Sequence, residues 1–288
     1  MPGISEDGVR HVPHEGEAAH PGNAHVNDGI RSLHGRIDDL EHLIAKRLEA
    51  EGKRPADWLR EHADVRHQLP AWRRKTSGET RWTVAIVTAI GIGLQVMVPG
   101  RLLLVRPSWI LPGLQAALLV ALILANPHRI NKESKALRIL SLILAALLSL
   151  ANGWSVALLA HGLVDGSFGK TSPSSLLITG VAVWLTNVVA FALWYWEFDR
   201  GGPVARALGT HPYPDFQFPQ MTAPDMAPPH WEPTFTDYLY VAFTNAAAFS
   251  PTDTMPMSRW AKMLMTTQSI ISIVTVALVV ARAVNILP

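Results

Sequence analysis

The chain of 288 residues is 49% hydrophobic and only 17% charged, against about 25% charged residues in average globular usage, which excludes a single water-soluble core. Residues 1–82 carry 13 Lys+Arg and 14 Asp+Glu, whereas residues 83–288 carry 12 and 9. This polar head on an apolar body has no concentrated basic face, so no nucleic-acid partner is expected. The absence of cysteine excludes disulfides, thiolate metal sites, iron–sulfur clusters and cysteine nucleophiles.

Residues 1–27 mix Pro, Gly, His and acids with almost no large apolar side chains, the composition of a disordered tail. They lack the basic start and apolar run of a signal peptide. Apolar residues then fall at Ile30, Leu33, Ile37, Leu40 and Ile44, in alternating steps of three and four, with Asp28 placed as an N-cap and Gly52 beyond the end. This spacing predicts an amphipathic helix over 28–52. It either lies on the protein or membrane surface or forms a coiled-coil oligomerisation handle, though at under three heptads it self-associates only marginally; in a scaffold it would recruit a cytoplasmic protein partner. Residues 53–82 interleave basic residues, among them Arg60, Arg66, Arg73 and Arg81, with Trp58, Trp72 and Trp82, as a cytoplasmic juxtamembrane flank does.

Apolar runs follow at 83–98, 109–125, 139–160, 176–196 and 263–281. A spanning helix needs about 20 residues, so the first two require flanking residues to complete them. The run 238–249 covers 12 residues, roughly 18 Å as a helix, and reads as re-entrant; were 235–250 to span, the crossings would number six. Between the second and third runs, Arg129, Lys132, Lys135 and Arg138 stand against Glu133, while the loop after the third carries only Asp165 and Lys170. Basic loops face the cytoplasm, which puts the N-terminus inside and brings the re-entrant segment in from the cytoplasmic side. The expected fold is therefore all-α integral membrane: five transmembrane helices plus a re-entrant, pore-loop-like helix, with a cytoplasmic N-terminal amphipathic helix. Its parts are the tail 1–27, the helix 28–52, the basic segment 53–82, a four-helix transmembrane region 83–197, a Pro/Gly-rich loop 198–234, and the re-entrant helix, turn and last span over 235–288.

In that last part a short amphipathic helix, a polar turn and a long apolar helix follow one another, and the stretch resembles the two-transmembrane pore unit of potassium channels. Ala242-Phe243-Thr244-Asn245 stands where those channels lead into the filter, Asp253 on the acid after it and Pro256 on the proline beyond; Val279-Val280-Ala281-Arg282 closes the last helix. The filter does not match. Ala248-Phe249-Ser250-Pro251-Thr252 has no glycine and fixes a proline at a filter position, so potassium selectivity is not implied. The resemblance makes Thr244, Asn245, Phe249, Ser250, Pro251, Thr252 and Asp253 the pore-turn candidates, with Gln268 and Ser272, four residues apart on one helix face, as pore-lining candidates.

Over roughly 83–288 the chain also resembles an uncharacterised family of bacterial multi-pass membrane proteins, a domain of unknown function. The matching residues are Phe191-Ala192-Leu193 with Tyr195, Gly201-Gly202, Asp215-Phe216 with Phe218-Pro219, Asp237-Tyr238-Leu239-Tyr240 with Phe243-Thr244, and Val284-Asn285-Ile286. That resemblance implies the fold and a place in the bacterial plasma membrane, and no activity.

Gln95, Gln115, Asn152, Asn187, Gln268, Ser269 and Ser272 are polar residues inside apolar runs, expected as hydrogen-bonding glue between helices. Glu197 and Asp199 end the fourth run beside Trp194, Tyr195 and Trp196 and read as solvated interfacial acids. Asp253 is either a turn residue or an acid at a pore mouth, and Arg259 and Lys262 are expected to snorkel. Eight of twelve histidines precede residue 68 without a zinc spacing, and His161 has no evident intramembrane acid partner. No nucleotide, metalloprotease or hydrolase motif is present; Asp215, Asp225 and Glu232 are spread along a Pro-interrupted stretch that reads as a flexible surface loop. The expectation is a non-enzymatic membrane protein without cofactor or metal, acting as a homo-oligomeric pore-loop channel. The alternative is a non-conducting scaffold in which the short helix plugs the bundle; a secondary transporter is weaker, for want of a repeat or a mid-membrane charge.

Overall fold

The structure, a computed structural model, describes residues 46–47, 70–126, 130, 134–166, 172–248 and 253–286. The chain divides into two units, Met1–His67 and Gln68–Pro288. Of the first, Lys46 and Arg47 are described, helical and exposed. The tail 1–27, the rest of the helix expected over 28–52, the flank up to residue 69 and the turn residues Phe249, Ser250, Pro251 and Thr252 lie outside the described residues.

The second unit is built from α1 (Arg81–Met97), α2 (Ile110–Ala125), α3 (Lys135–Val164), α4 (Pro173–Phe198), α5 (Pro203–Leu208), α6 (Pro219–Thr222), α7 (Phe235–Ala248) and α8 (Arg259–Ile286). Two short strands, β1 (Phe216–Gln217) and β2 (Met255–Pro256), pair antiparallel, with Phe216 opposite Pro256. Local sequence sets the ends. α4 starts where Ser172 Oγ accepts the Ser175 N–H at 3.3 Å with Pro173 at the first position, and α5 stops at Gly209, which takes the left-handed conformation.

The helices are patterned inside out relative to a soluble protein. Along α8 the buried positions are Ala261, Met265, Gln268, Ser272, Thr275 and Val279, steps of four and three, while Met263, Ile270, Ile273, Val274 and Val280 face outward. α1 repeats the scheme, burying Arg81, Val84, Ala85, Thr88, Ile92 and Gln95 and exposing Ile86, Ile90 and Val96. Small and polar residues inside with aliphatic residues outside is the arrangement of helices whose solvent is lipid. Three stretches are long and apolar enough to cross a membrane: Lys135–Gly162, Ser174–Leu208 and Arg259–Ala281. α1 and α2, at 17 and 16 residues, are shorter than the usual span of about 20, so of the five expected spans three are met by length and composition.

α4 is the axis of the unit. It packs against α1, α3, α7 and α8, and 72% of its most apolar window is buried, against 39% for that of α3 and 28% for that of α8. α7 and α8 run in the same direction: Ala242 O accepts from Gln268 Nε2, and Ala246 O, one turn on, accepts from Ser272 Oγ. Residues 255–256 are then back beside β1, at the end from which α7 set out. The stretch 198–234, expected as a flexible loop, is instead folded into α5, β1, α6 and two 3-10 turns packed on that end of the bundle. Its prolines terminate and start short elements rather than leaving the chain open.

Two glycines permit the close approach of helices to α4. A Cβ on Gly180 would lie 2.7 Å from Val279 Cγ2, and one on Gly91 2.8 Å from Val189 Cγ1, whereas one on Gly93 would meet nothing within 4 Å. Gly180→Leu is expected to destabilise the fold by about 1–3 kcal/mol through overpacking, while Gly93→Leu leaves thermal unfolding in detergent unchanged or slightly raised.

Candidate functional site

Of the pore-turn candidates, Thr244, Asn245 and Asp253 are described. Thr244 folds its hydroxyl back onto Tyr240 O and Val241 O at 2.9 and 3.1 Å, and Asp253 is exposed. Asn245 is buried, donating from Nδ2 to Met265 O at 2.9 Å and to Gln268 Oε1 at 2.8 Å. The face expected to line a path is occupied within the protein. Gln268 and Ser272 are both 0% exposed; Gln268 Oε1 also accepts from Tyr195 Oη at 2.5 Å, and Ser272 Oγ accepts from Trp184 Nε1 at 2.6 Å and donates to Ala246 O at 2.7 Å. With Ser269 Oγ donating to Asn245 Oδ1 at 3.2 Å, these residues join α7 to α8 and α4. At three other positions the glue is incomplete: amide atoms of Gln95, Gln115 and Asn187 are buried without a hydrogen-bond partner.

The densest polar assembly lies at the C-terminal end of α4, where solvated acids were expected. Glu197 and Asp199 are instead 2% and 0% exposed, beside Arg200 and Arg206 at 2% and 6%. Asp199 Oδ1 accepts the backbone N–H groups of Asp215 and Phe216 at 2.8 and 3.2 Å, and its Oδ2 accepts from Tyr238 Oη at 2.5 Å. Asp215 then accepts from the Arg200 N–H at 3.0 Å and Trp260 Nε1 at 2.9 Å, so this acid of the expected loop is a structural clamp. Asp225 is exposed and Glu232 half-buried, and neither joins it. Arg206 donates to Trp196 O, Asp199 O and Glu79 Oε1 at 2.6, 3.0 and 3.3 Å, with its guanidinium 4.9 Å from the Tyr238 ring centre. Glu79 accepts from Trp196 Nε1 and, at 2.8 Å, from the backbone N–H of Phe235, the first residue of α7. Burial pushes the Glu79 carboxyl above the usual carboxylate range, against the opposing pull of Arg206.

Backbone conformation makes the clustering possible. Arg200 takes φ 52°, and Gly201 and Gly202 take φ 80° and 98°; this tight reversal turns α4 into α5 and returns Arg206 beneath Asp199. Arg200 is held there by donation to His211 O at 2.7 Å and to Trp72 O. Beside the reversal opens a cavity of about 250 Å³, mainly apolar, lined by Arg81, Lys135, Arg138, Ser141, Trp196 and Glu197 among others. Ser141 Oγ donates to Glu197. At the opposite end of α3, His161 meets Asp165 one turn on at 3.0 Å, both groups well exposed at the end of the helix.

Sequence reasoning missed this cluster because an acid at a helix end is cheap when solvated. The available signal was the run Glu197-Phe198-Asp199-Arg200-Gly201-Gly202-Pro203, in which paired opposite charges meet a residue pair suited to positive φ. Among the described residues no group of three or more His, Asp or Glu is placed to hold a metal ion. Comparison with models of known families, with curated proteins and with solved structures gives no match.

Removing one member of a buried charge assembly leaves the others uncompensated. Asp199→Ala is expected to cost about 3–5 kcal/mol and Tyr238→Phe about 1.5–3 kcal/mol for one hydrogen bond to a charged group. Asp225→Ala, on the surface, should stay within about 0.5 kcal/mol. Thermal unfolding in detergent, read alongside the yield of monodisperse protein, orders the three.

Proposed function

We propose that this is a non-enzymatic, multi-pass membrane protein of the bacterial plasma membrane that serves as a non-conducting scaffold, with α7 as a plug inside the bundle. The carrying observation is that Gln268 and Ser272 spend their hydrogen-bonding groups on α7 and α4 within one chain. A polar face used in this way is not available to replace the hydration shell of a passing ion. In this reading α1, α2, α3, α4 and α8 are five crossings, and α7 is re-entrant. Support for the latter is its length of 14 residues, about 21 Å as a helix, together with the return of residues 255–256 to its starting end. The basic loop between α2 and α3 assigns that end, and the N-terminus, to the cytoplasm. The segment 28–52, expected from its sequence to be an amphipathic helix, then recruits a cytoplasmic protein partner.

One observation favours a second reading. A half-length helix followed by a full-length helix, with Asp253 exposed between them, is the plan of a pore loop, and several copies around an axis would enclose a path that one copy does not. As a homo-oligomer the protein would then conduct through the 244–253 turn.

Full-length protein in liposomes distinguishes the two. The scaffold reading expects cation flux at the level of protein-free vesicles, unchanged by Asp253→Asn, and native mass spectrometry in nanodiscs without a discrete ring-sized oligomer. Flux several-fold above background that falls on Asp253→Asn, with a stable tetramer, overturns it in favour of the channel.

A further inference from the structure

We infer that the cavity beside the reversal after α4 binds the phosphate of an anionic phospholipid headgroup. Arg81, Lys135 and Arg138 line it against one carboxylate, Glu197, and that carboxylate already accepts from Ser141. The local balance therefore favours an anion. Arg81 is 7% exposed, and its Nε has no hydrogen-bond partner, an unsatisfied buried donor that a phosphate oxygen would complete. The cavity also receives the N-terminus of α3, a 30-residue helix whose N-cap, Ser134, makes no side-chain capping bond. Ser134, Lys135 and Leu137 of that first turn line the cavity, which sets the positive end of the helix dipole beside it.

The remaining walls argue for a lipid rather than a free ion. Ile130, Leu137 and Val204 share the lining, and about 250 Å³ leaves room for a glycerol unit beyond the phosphate. The cavity sits where α3 begins and α4 ends, and its lining residues Lys135, Leu137, Arg138 and Ser141 belong to the first turns of a stretch apolar enough to span, a position from which an acyl chain would run on into the bilayer. Basic pockets between helices on the cytoplasmic side are where anionic headgroups are held, and the charge of the α2–α3 loop assigns this end to that side. The inference is independent of whether the protein conducts.

The test uses the full chain in a neutral detergent, titrated with a short-chain phosphatidylglycerol, with the matching phosphatidylcholine, and with inorganic phosphate, read by native mass spectrometry and by thermal unfolding. The expected result is one phosphatidylglycerol per chain, bound at least ten-fold more tightly than phosphatidylcholine. Lys135→Gln and Arg138→Gln, both at exposed positions that leave the fold intact, should each weaken it about five-fold, and Arg81→Gln more strongly. Equal binding of the two lipids, or unchanged affinity in the Lys135→Gln/Arg138→Gln double variant, overturns the inference. Stabilisation by inorganic phosphate equal to that by phosphatidylglycerol at the same concentration overturns the lipid assignment and leaves a free-anion site.

Discussion

An ionised group that a transmembrane bundle withdraws from water has to be answered from within the protein, and at the end of α4 the answer recruits most of the fold. Asp199 alone draws on the backbone of β1 and the hydroxyl of α7. Arg206 returns from α5 to lie against it, and Glu79 reaches in from the segment before α1. Each partner sits on a different element, so satisfying one cluster of charges fixes the relative positions of α1, α4, α5, α7 and β1. Desolvation is costly for every member, and no subset of them satisfies the rest. The arrangement therefore acts as a registry device, which is the best-attested use of buried charge.

Away from that end, specificity passes to neutral hydrogen bonds. Lipid supplies no hydrophobic drive between helices, and the seam of α8 is accordingly built from Gln268, Ser272 and Thr275, with small or flexible Ala261 and Met265 ahead of them. Glycine does the equivalent work for α1 and for the far part of α8, where Gly91 and Gly180 let backbones approach beneath Val189 and Val279. α4 is the recipient in each case, which explains why it is so much more deeply buried than the other long helices.

Much of this architecture was legible in the sequence. The apolar runs marked α1, α2, α3, α4 and α8, and the 12-residue length of the 238–249 run marked α7 as a half-length element. The interhelical bonding of Gln268, Ser269 and Ser272 was also expected, but most of what depends on partners distant in the chain escaped. Glu197 and Asp199 have the local environment of solvated acids, and only the reversal through Gly201 and Gly202 brings Arg206 back to them. Residues 198–234 have the composition of a loop, yet Asp215 clamps them through Arg200 and Trp260, contacts that no periodicity announces. Gln268 and Ser272 were correctly grouped on one face, but spacing along a helix does not reveal whether that face meets a neighbour or a cavity. Here it meets α7.

The bond from Glu79 to the first N–H of α7 joins residues separated by 156 positions. Helices are ordinarily capped by residues adjacent to them in the chain, and Thr234 and Asp237 do bond to each other at the start of α7, but its first N–H is met by a segment synthesised long before it. During biogenesis Glu79 must wait until the chain has passed Phe235 before its second oxygen is satisfied, and the start of the membrane unit is completed only by its last third. A force applied to the chain just ahead of α1 is delivered by the same bond to the start of the half-length helix, which couples the residues before α1 to α7.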